Sequence, residues 1–169
     1  MLISSFQLTL SLIYRNFVPD DLEAVAELEK SAFPVGPYTK AMLKRIFRMR
    51  ESFNIIAEEG GKIVGYIIAI PLDGESADIE SIAVHPDFQR TGLGTKLMAM
   101  MEKEILKRGF SATILEVRDM NTEAISFYKK HGYTIISHMP TYYKEYFRGS
   151  RGAYRMIKKV SASVVKSGD

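Results

Sequence analysis

Gln89-Arg90-Thr91-Gly92-Leu93-Gly94-Thr95 is the stretch on which the fold of this chain turns. A strand-like run, residues 78–84, leads into it, and an amphipathic helical pattern leads out of it as far as Arg108-Gly109. A strand, a glycine-bearing turn and a helix N-terminus together make an anion site. The first N–H groups of a helix have no intrahelical partner, and the helix dipole adds positive potential there. Gly92 and Gly94 carry no Cβ to obstruct a phosphate, and Arg90 adds a charge suited to its oxygens. Two phosphate motifs are excluded. The chain lacks Gly-x-x-x-x-Gly-Lys-Ser/Thr, and the third glycine of Gly-x-Gly-x-x-Gly is replaced by Leu97.

Outward from this turn, periodicity predicts strands over residues 11–16, 53–58, 62–71, 76–85, 112–117, 134–142 and 152–158. Helices are expected over 19–31, 38–49, 92–108 and 122–131. Glu59-Gly60-Gly61 reads as a hairpin turn. Early strands followed by strand–helix alternation imply a mixed α/β sheet. The chain has 169 residues, enough for one domain, read as residues 13–160. Residues 161–169 read as a flexible tail. Residues 1–12 read as an extension, in which Phe6, Leu8, Leu10 and Leu12 alternate with polar residues; this suggests an extra strand able to lengthen the sheet or pair with another chain, with a disordered tail as the alternative. The apolar N-terminus is too short to span a bilayer and has no basic flank, so no membrane association is expected.

The absence of cysteine excludes disulfides, thiolate metal sites and a covalent acyl-cysteine route, and fits a cytoplasmic setting. The net charge is +3, and the basic clusters at 44–50 and 148–159 lack the aromatic interleaving of a nucleic-acid module. His85, His131 and His138 are scattered without metal-ligand spacing, so no metal is expected; His85 and His131 read as turn and surface residues.

The segment Ile82-Ala83-Val84-His85-Pro86-Asp87-Phe88-Gln89-Arg90-Thr91-Gly92-Leu93-Gly94 resembles motif A of the GNAT superfamily of acetyl-coenzyme A-dependent N-acetyltransferases. Leu115-Glu116-Val117-Arg118-Asp119-Met120-Asn121, with Ala124, Phe127, Tyr128, Gly132 and Tyr133 after it, resembles motif B, especially in the branch that acetylates protein N-termini, ribosomal proteins included. The resemblance covers residues 13–158. It implies a GNAT fold: a central, mixed, mostly antiparallel twisted sheet with splayed central strands, flanked by about four helices.

The resemblance also implies roles. Backbone groups of Ile82, Ala83 and Val84 would bind pantetheine and polarise the thioester. Gln89, Arg90, Thr91, Gly92, Leu93, Gly94 and Thr95 would surround the pyrophosphate, with Asn121 and Tyr128 at the pantetheine arm and sulfur. Tyr128 is the expected general acid, since a phenol pKa near 10 suits a departing thiolate. Candidate bases rank Glu116, then Glu80, then Asp78; strand alternation would put Asp78, Glu80, Ile82 and Val84 on one face. Phe33, Pro34, Val35 and Tyr38 resemble the loop that receives the first side chain of a peptide. Tyr142, Tyr143 and Tyr154 resemble the hairpin that closes over the peptide backbone, although adjacent strand residues face opposite ways, so one of the pair would be structural. A basic loop, Phe147-Arg148-Gly149-Ser150-Arg151-Gly152, replaces the acidic one usual there. The implied activity is direct acetyl transfer from acetyl-coenzyme A to α-amines. Lysine or small-amine acceptors, and a non-catalytic acyl-coenzyme A-binding module, are the alternatives.

Overall fold

The computed structural model describes residues 11–161. Its strands are β1 (Leu12–Arg15), β2 (Phe53–Glu59), β3 (Lys62–Pro71), β4 (Ser76–Val84), β5 (Ala112–Arg118), β6 (Thr134–Met139) and β7 (Ala153–Lys159). Its α-helices are α1 (Leu22–Ala32), α2 (Lys40–Arg48), α3 (Leu93–Lys107) and α4 (Thr122–Lys130). The expected strand and most of the extension lie outside the described residues, and Leu12, counted with the extension, already belongs to β1.

The strands form one sheet in the order β1-β2-β3-β4-β5-β7-β6. Only β4 and β5 run parallel, and their ladder has three pairs, from Ser76↔Ala112 to Asp78↔Ile114. Past Asp78 the strands part, while β4 stays paired to β3 as far as Val84↔Gly65 and β5 to β7 as far as Arg118↔Ala153. The splay is thus built by two well-paired halves that share a short seam. It exposes backbone groups on the inner edges of β4 and β5.

Alternation along the strands buries both faces. Leu93, Leu97, Met98, Met101 and Ile105 of α3 pack with Ile67, Ala69, Leu115, Val117 and Met156 on one face. Val25 and Leu28 of α1 and Leu43 and Ile46 of α2 pack with Ile56, Tyr66, Ile68 and Ala83 on the other. These helical stripes sit at the three- and four-residue spacing of an amphipathic helix.

Two expectations are corrected by local geometry. The strand predicted to reach Tyr142 ends at Met139, because the chain turns at Pro140 and only residues 134–139 pair with β7. The even residues of β4 do not share a face. Ser81 pairs with Ile68 but Ile79 with Ala69, leaving Glu80 as the extra residue of a β-bulge. Ala77 and Ile79 on one side of it, and Ile82 and Val84 on the other, therefore all face the α3 core. Asp78 is left on the α1–α2 face.

Candidate active site

Two sets of predicted residues gather at the splay, one on each side. The α3 side holds the anion turn. Gly92 caps α3 with φ 89°, a conformation that favours glycine, and Arg90 adopts φ 61°. The first helical bond is from Lys96 N to Gly92 O, so the N–H groups of Leu93, Gly94 and Thr95 precede it and face out of the helix end. The side chains of this segment divide. Leu93 is buried in the core and offers only backbone, and Ala83 is buried on the opposite face. The Gln89 amide donates to the Val84 carbonyl at 3.1 Å, and the Thr91 hydroxyl to the Phe88 carbonyl, so both brace the turn. A Cβ on Gly94 would only touch the Phe127 ring at 3.5 Å; the open space there belongs to Gly92. His131, read from sequence as a surface residue, reaches the Thr95 hydroxyl with Nε2 at 3.1 Å and so lies at the same turn.

Asn121 caps α4, its side-chain oxygen accepting from Ala124 N at 3.2 Å, which leaves its NH2 group available. Tyr128 is partly buried and packs edge-on to Phe127 and Tyr133. Burial pushes its phenol up to about 12. A phenol at that value stays protonated and serves as a hydrogen-bond donor; full transfer to a thiolate with a pKa near 8.5 is uphill unless other protons move with it.

The α1–α2 side holds the carboxylates. Asp78 stands at the last pair of the parallel ladder, where the opening begins. Its pKa is raised to about 7, first by burial, then by the charges of Glu116 and Glu80, against the opposing pull of Arg155. Its Oδ1 is enclosed and has no hydrogen-bond partner. Glu116, ranked first from sequence, accepts from Arg155 Nε at 2.7 Å, and its side chain is 11% exposed. Glu80 accepts from the Tyr38 hydroxyl at 2.9 Å. All three proposed bases therefore meet, but Asp78 alone has an enclosed oxygen with nothing bound to it.

Behind them lies Glu29, 1% exposed, which sequence reasoning missed. It accepts from the Tyr66 hydroxyl, from Ser81 Oγ at 2.8 Å and from Tyr38 N at 2.9 Å. One carboxyl thus ties α1 to β3, to the bulge of β4 and to the residue that holds Glu80. Burial raises its pKa against those three donors. A carboxylate on the apolar stripe of α1, beside Val25 and Ala26, was the available signal.

The acceptor residues divide as well. Phe33 packs against the α1–α2 core, Pro34 is exposed and Val35 is half-buried. Tyr142 faces the three carboxylates, which together with burial push its phenol up to about 12. Tyr143 lies 4.0 Å beneath the Arg118 guanidinium. The two tyrosines, expected to diverge on a strand, instead follow the turn at Pro140–Thr141 outside any strand, with their rings edge to face at 4.9 Å. Tyr154 is not with them. It pairs with Val117 and packs on the α3 face beside His138. The basic loop is a tight turn in which Phe147 and Ser150 exchange backbone hydrogen bonds, with Arg148 at φ 48° and Gly149 at φ 81°.

The acetyltransferase (GNAT) family model matches residues 22–133. An uncharacterised N-acetyltransferase of Methanocaldococcus jannaschii is 33% identical over 149 residues, covering 88% of this chain and 92% of that protein. Among solved structures, the ribosomal-protein-S18-alanine N-acetyltransferase of Escherichia coli matches with a TM-score of 0.81 and 26% identity, over 94% of this chain and 100% of that one. Ard1 of Thermoplasma volcanium matches with a TM-score of 0.80 and 30% identity, over 89% of this chain and 99% of that one. With a split sheet, an anion turn on one side of the split and a carboxylate cluster on the other, this chain belongs to the GNAT family of acetyltransferases and is an acetyl-transferring enzyme.

Proposed function

We propose that the protein acetylates the free α-amine of protein or peptide N-termini, with acetyl-coenzyme A as the donor substrate and both substrates bound at once. The observation that carries this reading is Asp78, a carboxyl poised at about 7 at the last pair of the parallel ladder, where the splay opens, with its Oδ1 unpaired. An α-ammonium, with a pKa near 8, gives its proton to such a group at a cost of about 1–2 kcal/mol. A lysine side chain near 10.4 would cost about 4–5 kcal/mol. The site is thus matched to the weaker base. The name of the Escherichia coli relative, an N-acetyltransferase of a ribosomal-protein alanine, supports the same class of acceptor.

Bound acetyl-coenzyme A supplies the acyl group as a thioester. Arg90 and the N–H groups of Leu93, Gly94 and Thr95 offer a place for its phosphates, and the inner edge of β4 beyond Asp78, unpaired by β5, offers peptide groups of Ile82 and the Val84 N–H to its amides. Asp78 takes the ammonium proton, directly or through a water, with Glu80 and Glu116 lending negative potential for the incoming cation. As the amine nitrogen bonds to the acyl carbon and the C–S bond breaks, the Tyr128 hydroxyl donates a hydrogen bond to the sulfur, and the nitrogen's second proton passes to the departing thiolate, which leaves as the coenzyme A thiol. Holding both reactants across a narrow opening supplies much of the acceleration.

The test is mass spectrometry on short peptides incubated with the protein and acetyl-coenzyme A, half of them blocked at the N-terminus. Products confined to free α-amines support the reading. Acetyl-lysine in blocked peptides at comparable rates sinks it in favour of a side-chain acetyltransferase.

A further inference from the structure

Arg118, the last residue of β5, lies between two segments that border the carboxylates: residues 33–39, which join α1 to α2, and residues 140–152, which join β6 to β7. Its side chain is only 12% exposed. Toward the second segment, Nη1 donates to the Glu145 carbonyl at 3.0 Å, and the guanidinium stacks 4.0 Å from the centre of the Tyr143 ring. Toward the first, a Cβ at Gly36 would fall 2.9 Å from Nη2 and 3.3 Å from Glu145 Oε2. Gly36 also holds φ +64°, so both its conformation and its surroundings favour glycine. Nη2 is enclosed with no hydrogen-bond partner, its nearest carboxylate oxygen standing at 4.0 Å. Arg118 alternates with Val117, so it faces away from the α3 core that Val117 helps to fill. A buried cation with an unsatisfied nitrogen is a poor way to stabilise a fold. Its contacts go instead to the two segments that carry Tyr38 and Tyr142 to the carboxylates.

We propose that Arg118 is a positioning residue for the acceptor. It joins the 33–39 segment to the 140–152 segment and so sets the width of the passage to Asp78 and Glu80. Arginine suits this place and lysine does not, because the planar guanidinium can stack on Tyr143, donate to Glu145 and bring Nη2 close beside Gly36 at once. The inference rests on the reading that these segments border the acceptor site, whatever amine the acceptor carries.

Two measurements on the full chain test it, with R118K and R118A. Hydrogen exchange without ligands is expected to rise about 10-fold in both segments together, with α3 and the β2–β3 hairpin unchanged. Exchange that rises in 140–152 alone, or in neither segment, overturns the proposal. Steady-state kinetics with an accepted peptide should show the acceptor KM about 10-fold higher, kcat within about 3-fold, and acetyl-coenzyme A affinity within about 2-fold. A purely structural role would move the donor affinity and kcat along with KM, and that result also overturns it. G36A, which crowds Nη2 from the other side, should reproduce the rise in KM. If R118A does not fold, R118K decides. If no peptide is acetylated by the unaltered protein, the N-terminal reading fails while the exchange measurement still decides the role of Arg118.

Discussion

Burial and the neighbouring carboxylates Glu116 and Glu80 raise the Asp78 pKa to about 7, and the same shift taxes the folded state. A carboxyl whose folded pKa lies above its unfolded value binds its proton more tightly when folded. Stability therefore falls as pH rises from about 4, where the unfolded carboxyl ionises, to about 7, and stays lowered above that. Asp78→Asn is expected to raise stability by about 2–4 kcal/mol at pH 8 and to change little at pH 4, as urea denaturation at the two pH values would read. The same variant should lose about 100-fold in kcat/KM, together with the ascending limb of the pH profile near 7. An unchanged limb would mean that Asp78 is not the base. At this scale the sequence was only partly readable. The family resemblance pointed to all three carboxylates, but their ranking depended on what each one touches. Arg155 occupies Glu116 from across the β5–β7 pair, thirty-nine positions away in the chain, and no local pattern announces such a partner.

Elements were the most legible level, because helical stripes and strand alternation are periodic and their ends are marked by Thr39, Gly92, Asn121 and Gly132. The misses were aperiodic. One added residue at Glu80 reversed the facing of half of β4, and a bulge leaves no mark in a strand pattern when the residues around it remain apolar. Glu29 shows how much hangs on such a place, since it accepts from Ser81, next to the bulge, and from Tyr38 N. Glu29→Ala would leave Tyr66, Ser81 and Tyr38 with donors and no acceptor, at a cost of about 2–4 kcal/mol in chemical denaturation. Acetylation should fall with it, because the residue that holds Glu80 loses its anchor.

Across the whole molecule, long-range contacts decide what the elements enclose. Asp119, just past β5, accepts from His138 at the end of β6 and from Ser150 before β7, both at 2.9 Å. Gly152 lies against this junction so closely that a Cβ there would overlap the Asp119 carboxylate at 2.0 Å. Gly152→Ala is expected to cost about 1–3 kcal/mol in urea denaturation and to loosen the 140–152 segment. A cost near zero would mean that the carboxylate moves aside freely. From the sequence, Gly152 is only the junction of the basic loop and the last strand; the crowding that requires glycine comes from residue 119 and the β6–β7 register.

The strand order has a consequence for the growing chain. β7 lies between β5 and β6, so the strand made last of the three is the one both earlier strands await. A ribosome that has released β6 has produced a strand whose only partner among the described residues is still inside the exit tunnel. Arg155 emerges with β7 as well, so Glu116 waits for this partner until β7 has left the ribosome. The nascent polypeptide cannot assemble its carboxylate cleft early. Whatever amine it modifies, its chemistry begins only after β7 has left the ribosome and taken its place between β5 and β6.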